Sequence, residues 1–171
     1  MTDTMNIRPE QDTDKQAIYE VTQSAFATVE YAGGNEQDIV NTLRDLGALS
    51  LSLVACRGEE LVGHVAFSPA PAADGSGPWY ALGPVSVHPD EQRQGIGAAL
   101  INTGLEQLAQ QGGLGCILVG DPAYYQRFGF EAAPDHVPDN EPAEYFMLNC
   151  FSDTRPTDKF AFHEGFYIEA R

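Results

Sequence analysis

Positive charge is scarce in this chain of 171 residues: 9 Lys plus Arg stand against 25 Asp plus Glu, a formal net charge of −16. So acidic a surface repels a phosphate backbone and excludes nucleic acid as a partner. The acidity itself has two readings, a well-solvated or salt-adapted surface, or a field that draws cationic amines. Cysteine is scarce too. Cys56, Cys116 and Cys150 are far apart, lack CxxC spacing and lie in apolar runs, so they read as reduced core residues, and no metal site is expected. No apolar run reaches eighteen residues, and residues 1–10 hold no apolar stretch resembling a secretion signal. A soluble, cytoplasmic protein without membrane contact is the expectation. Internal repeats and low-complexity tracts are lacking as well, which leaves one domain over residues 1–171.

What is present is a core-forming content of 43% hydrophobic residues, patterned by element. Thr13 with Gln16 resembles a capping box, and Ala17, Ile18, Val21 and Ala25 recur at helical spacing to about Phe26. Tyr31 to Gly34 break that helix and form a loop suited to a substrate mouth. Asn35 caps a second helix with Ile39, Val40, Leu43 and Leu46 on its apolar face, and Gly47 supplies a left-handed stop. Residues 49–56 and 61–67 read as a hairpin, residues 69–78 as a loop, and residues 79–87 as another strand. Residues 95–110 form the best-supported helix and residues 116–119 a short buried strand. A brief helix over 122–128, a polar loop over 134–142 and strands at 145–151 and 160–168 complete the order.

The chemistry is concentrated in Val85-Ser86-Val87-His88-Pro89-Asp90-Glu91-Gln92-Arg93-Gln94-Gly95-Ile96-Gly97-Ala98, a strand, a turn and a helix start in immediate succession. Gly95 and Gly97 remove side chains where the chain enters the helix. Backbone N–H groups from Arg93 to Ala98 can therefore cradle a pyrophosphate at the positive end of the helix dipole. Such a cradle needs few cations, and Arg93 is the one expected nearby. A P-loop is excluded by the missing Gly-Lys-Ser/Thr, and a dinucleotide fingerprint by the missing third glycine.

The string resembles motif A of the GNAT N-acetyltransferases, Gln/Arg-x-x-Gly-x-Gly/Ala, through Gln92, Gly95 and Gly97. The later run Tyr124-Tyr125-Gln126-Arg127-Phe128-Gly129-Phe130 is similar to that family's Tyr-x-x-x-Gly-Phe, with Tyr125 in the tyrosine position. The resemblance implies an α/β (α+β) fold: a mixed, mostly antiparallel sheet of about six to seven strands, splayed between the fourth and fifth and flanked by about four helices. It implies acetyl-CoA as co-substrate, held by Val85, Ser86, Val87, Gln92, Arg93, Gln94, Gly95, Ile96, Gly97 and Ala98, with Asp121 standing where many relatives carry an Asn contact. It further implies acetyl transfer to a primary amine, of a small molecule or a peptide, by direct attack in a ternary complex.

In that reading Tyr125 serves the leaving thiolate and the Val87 N–H polarises the thioester carbonyl. Candidates for the base are Glu36, His64 and His88, or an ordered water. Each of the three has an alternative: Glu36 complements its helix dipole, His64 is a satisfied sheet residue, and His88 shapes a turn. Two other functions stay open, a non-catalytic acyl-CoA-binding module of the same fold and an interaction domain with a merely structural glycine turn. A homodimer also stays open.

Overall fold

The computed structural model describes residues 5–29 and 33–168. Its elements are β1 (Met5–Pro9), α1 (Lys15–Phe26), α2 (Glu36–Asp45), β2 (Leu51–Arg57), β3 (Glu60–Pro69), β4 (Trp79–Val87), α3 (Ile96–Gln110), β5 (Gly115–Val119), α4 (Pro122–Tyr125), β6 (Glu131–Ala132) and β7 (Phe146–Cys150). The seven strands form one sheet in the order β1-β2-β3-β4-β5-β7-β6. Every neighbouring pair is antiparallel except β4 with β5. This is the mixed sheet with a parallel break that the resemblance implies.

Alternation along the strands sorts the core into two layers. Leu53, Val65 and Phe67 project to one face, where α3 lays down Leu100, Ile101, Leu105 and Leu108. Val54 and Cys56 project to the other, against Ile18 of α1 and Val40 of α2, and Ile39, Leu43 and Ala48 extend that layer. Each of these large side chains contributes about 1.5–3 kcal/mol by leaving water. The site-bearing strand β4 is thus clamped from both sides.

Several local expectations are corrected. The strand β1 was not foreseen, since five residues with Asn6 and Arg8 among them carry too little alternation to register; it pairs as the sheet edge against β2. The Thr13–Gln16 box does not start α1. Instead Asp14, in a 3-10 turn over Asp12–Asp14, accepts from the Gln11 N–H at 2.7 Å and pairs with Arg8, while Gln16 bonds Glu20. Asn35 does sit at the start of α2, but its side chain donates to the Ile168 carbonyl at 3.0 Å, tying the helix to the C-terminal segment. Leu46 is exposed, and Gly47 supplies the left-handed stop at φ 69°. Of the predicted mouth loop, Tyr31 and Ala32 lie outside the described residues.

The strand expected over 160–168 does not form. Phe160 makes one isolated bridge to Ala72, and Glu164–Tyr167 is a 3-10 turn whose N–H at Gly165 donates to His163 Nδ1 at 3.0 Å. Aromatic packing decides this: Phe160 inserts between Trp79 and Phe146, and Phe162 reaches Phe166 at 5.6 Å, a four-residue spacing that an extended chain would forbid. Cys56 and Cys116 are buried free thiols, as expected, and Cys150 is a half-buried one.

Candidate active site

The site begins where β4 and β5 part. The two strands pair only at Trp79–Gly115, Tyr80–Cys116 and Ala81–Ile117. Beyond Ala81 the β5-facing edge of β4 has no strand partner among the described residues. On its other side β4 carries an extra residue against β3, since Val65 faces Val85 while Phe67 faces Leu82, a bulge at Gly83 and Pro84. From there the antiparallel ladder resumes with His64 opposite Ser86, and the His88 N–H donates to the Val62 carbonyl at 2.8 Å. Because exchanged bonds fall on alternate residues, Ser86 spends its backbone groups on β3, and Val85 and Val87 turn theirs toward the open edge. The Val87 carbonyl is taken there by Gln92 Nε2 at 3.0 Å.

Past β4 a 3-10 turn over Pro89–Glu91 carries the chain to the helix start. Arg93 and Gly95 adopt φ of 66° and 83°, left-handed conformations that aim successive N–H groups to one side. The first intrahelical bond of α3 runs from the Ala99 N–H to the Gly95 carbonyl at 3.0 Å. The N–H groups of Ile96, Gly97 and Ala98 precede it and are free of helical acceptors. They open into a cavity of about 580 Å3 that β4 lines through Val85 and Val87.

The opposite wall comes from α4. Asp121 accepts from the Ala123 N–H at 3.0 Å, which fixes the helix start and presents Tyr124 and Tyr125 edge to face, 5.0 Å apart. Arg127 donates to the Tyr124 carbonyl and lies 4.6 Å from the Tyr124 ring centroid, so its guanidinium also lines the cavity. Burial, with smaller contributions from Tyr124 and Asp121, pushes the Tyr125 phenol up to about 12. It stays protonated throughout the ordinary pH range.

Of the residues expected to hold a cofactor, Val85, Val87, Gln92, Arg93, Gly95, Ile96, Gly97 and Ala98 come together on this one cavity, with Tyr125 beside them. Ser86 is turned away, its side chain buried on the opposite face. The Gln94 side chain is held by Arg57 at 3.2 Å, and Asp121 is occupied as a helix cap. Neither is part of the cavity wall. Sequence reasoning missed Arg127, a second cation here, along with Tyr124 and Phe26. The available signal was the three-residue spacing of Tyr124 and Arg127, one helical turn apart.

The base candidates separate. His88 Nδ1 accepts from the Asp90 N–H at 3.1 Å and shapes the turn. His64 is fully buried, opposite Val54 of β2 and so on the sheet face that α1 and α2 cover. The single Ser52 hydroxyl proton goes to Glu10, so His64 Nε2–H donates to Ser52 Oγ at 2.8 Å and leaves Nδ1 without a partner among the described residues. Desolvation would raise the Glu10 pKa, but bonds from Arg44 and Ser52 outweigh it. Burial lowers His64 to about 4, which removes it as a base exchanging protons with substrate. Glu36, by contrast, lines a second cavity next to the first.

His64 has a stability consequence. It titrates near 6.5 when unfolded and near 4 when folded, so the unfolded chain binds more protons between those values. Its contribution is complete above about 6.5 and is lost as the pH falls toward 4, a loss of about 3 kcal/mol. Urea denaturation across that range shows this slope in the wild type, and His64→Gln flattens it.

A split mixed sheet with a backbone anion cradle at the split defines the class, and the chain belongs to the acetyltransferase (GNAT) family, whose model matches residues 15–130. A GNAT family acetyltransferase from Brucella melitensis, solved in complex with acetyl-CoA, is 42% identical, with a TM-score of 0.85 over 95% of this chain and 98% of that one. The YhbS N-acetyltransferase of Escherichia coli, solved in complex with CoA, aligns structurally at 29% identity and a TM-score of 0.87, covering 97% of this chain and 93% of that one. By sequence, the uncharacterized N-acetyltransferase YhbS of Escherichia coli strain K12 is 38% identical over 102 residues, which span 59% of this chain and 61% of YhbS. The uncharacterized N-acetyltransferase YjhQ from the same strain is 33% identical over 147 residues, 79% of this chain and 78% of its own.

Proposed function

We propose that the chain is an N-acetyltransferase that moves the acetyl group of acetyl-CoA to a primary amine by direct attack in a ternary complex. The observation that carries this reading is one continuous surface: the free N–H groups of Ile96 to Ala98, the unpaired edge of β4 and the Tyr125 phenol all border one cavity. Its parts fit the parts of acetyl-CoA. The helix start suits a pyrophosphate, with Arg93 and Arg127 adding charge, and the outward N–H groups of Val85 and Val87, with the Val85 C=O, suit an extended amide chain. The cofactor bound by the Brucella and Escherichia relatives supports the same choice.

Bound acetyl-CoA supplies an activated thioester acyl group. The Val87 N–H, on the open edge, hydrogen-bonds the thioester carbonyl oxygen as negative charge develops there. Tyr125 stands ready for the leaving sulfur. Moving its proton fully from a phenol near 12 to a thiolate with a pKa of roughly 8.5 is uphill by about 5 kcal/mol. Tyr125 therefore donates a hydrogen bond to the thiolate, and solvent delivers the proton. Glu36 borders the neighbouring cavity from the start of α2, orients the incoming ammonium and relays its proton through water to solvent before attack; the second N–H proton leaves by water as the C–S bond breaks.

The test is CoA release, followed with a thiol reagent, across primary amines, secondary amines and alcohols. Release that depends on a primary amine is the expected result. Tight cofactor binding without release across the panel would leave a non-catalytic acyl-CoA-binding module as the better reading.

A further inference from the structure

We infer that the second cavity is the acceptor site and that it takes a small arylalkylamine, a primary ammonium joined to an aromatic body and carrying no carboxylate. The inference rests on the acetyl transfer proposed above. Position comes first. The bulge residues Leu82, Gly83 and Pro84 line this cavity, Val85 immediately after them lines the cofactor cleft, and Phe26 borders both. An amine here approaches the thioester end of the cleft from the far side of the split.

Size and lining narrow the choice. The cavity holds about 270 Å3, just under the ~300–1,000 Å3 of sites for drug-sized ligands, which favours a small molecule over a protein side chain with its backbone. Phe162 and Phe166, 5.6 Å apart and inclined at 58°, wall one side, and Val119 and Leu82 add aliphatic surface. This is a surface for a ring.

Charge at the other end is negative. Glu36 Oε2 accepts from the Gly33 N–H at 2.9 Å, while Oε1 is buried with no donor among the described residues. Such an acceptor, left bare, has lost the bonds it had with water, and because Glu36 borders the cavity a turn of its carboxylate lets an ammonium seated there restore one. Glu141 also borders the cavity, with Oε1 already accepting the Tyr167 hydroxyl at 2.9 Å. No Lys, Arg or His is among the described residues lining this cavity. A free amino acid would bring its carboxylate beside two glutamates, with no cation among the described lining residues to hold it. A diamine would have to set its second ammonium either among the phenylalanines, losing more hydration than ring faces return, or at Glu141, where the Tyr167 hydroxyl already holds Oε1.

The test is calorimetric titration of phenylethylamine, phenylalanine, phenylethanol and putrescine into the chain, with and without saturating CoA, so that no turnover intervenes. Phenylethylamine should bind at least about 10-fold tighter than the other three. Phe162→Ala should weaken it about 10-fold, and Glu36→Gln should abolish its advantage over phenylethanol. Equal or tighter binding of putrescine or phenylalanine would overturn the assignment, as would an unchanged affinity in Phe162→Ala. Failure of CoA to bind would instead sink the proposed function, while the amine titration without CoA still decides what the cavity holds.

Discussion

Replacing Gly97 by Asp weakens acetyl-CoA binding at least about 100-fold. A Cβ at this position would meet only Val87 Cγ2 at 3.6 Å and Tyr124 Oη at 3.7 Å, ordinary contacts, so the variant folds. The cost falls on the ligand. A carboxylate placed about 4 Å from a phosphate repels it by about 4 kcal/mol at an effective dielectric of 20. Solvent at this partly open mouth screens some of that, and about 2.7 kcal/mol, or 100-fold, remains. Gly97→Ala adds the Cβ without the charge and should stay within about 10-fold of wild type. Calorimetric titration of the three proteins, with thermal unfolding alongside, separates charge from bulk. Equal affinity in wild type and Gly97→Asp would remove the pyrophosphate from the start of α3.

Tyr125→Phe lowers kcat about 100-fold and leaves the affinity for acetyl-CoA nearly unchanged. The lower end of the range for proton-transfer catalysis applies, because Tyr125 contributes a hydrogen bond to the thiolate rather than a full proton. The ring has a structural part as well, packing between Phe128 and Phe130 with centroids 6.2 Å from each, and Phe preserves it. A buried phenol near 12 also fixes the pH behaviour. The raised pKa keeps Tyr125 protonated, so its ionisation causes no fall in rate on the alkaline side until well above pH 10. Steady-state kinetics with the cofactor affinity measured separately tests both points. Loss of cofactor binding in Tyr125→Phe, with kcat intact, would make Tyr125 a structural residue.

Local chemistry was legible and long-range assembly was not. The run from Val85 to Ala98 is contiguous, so a strand edge, a left-handed turn and a helix start could be read together, and the structure brings eight of its expected contacts to one cavity. The helix over 95–110 announced itself through apolar spacing that a single buried face explains. The edge strand β1 gave no such signal, because pairing on one side only lets polar residues alternate loosely. The final segment misled for the opposite reason. Its aromatics looked strand-like, yet Phe160, Phe162 and Phe166 serve three-dimensional packing that period-two alternation does not describe. The acceptor cavity draws Phe26, Glu36, Leu82, Val119, Glu141 and Phe162 from six separate stretches of chain. Nothing in the spacing of those residues could have joined them.

Glu36 shows where the two levels meet. At the sequence level it was one of three candidate bases, distinguishable only by chemistry. The fold removes His64 by burial and gives His88 to a turn, and leaves Glu36 beside a cavity with an oxygen that has no partner among the described residues.

The central claim is acyl transfer from acetyl-CoA to an amine, and isotope balance tests it most directly. Acetyl-CoA labelled with heavy carbon in its acetyl group is incubated with the protein and a panel of primary amines, and the products are resolved by mass spectrometry. The account predicts that the label appears in an N-acetyl amide in the same amount as the CoA released. Label recovered as free acetate, or retained wholly in acetyl-CoA that the protein nonetheless binds, would contradict it.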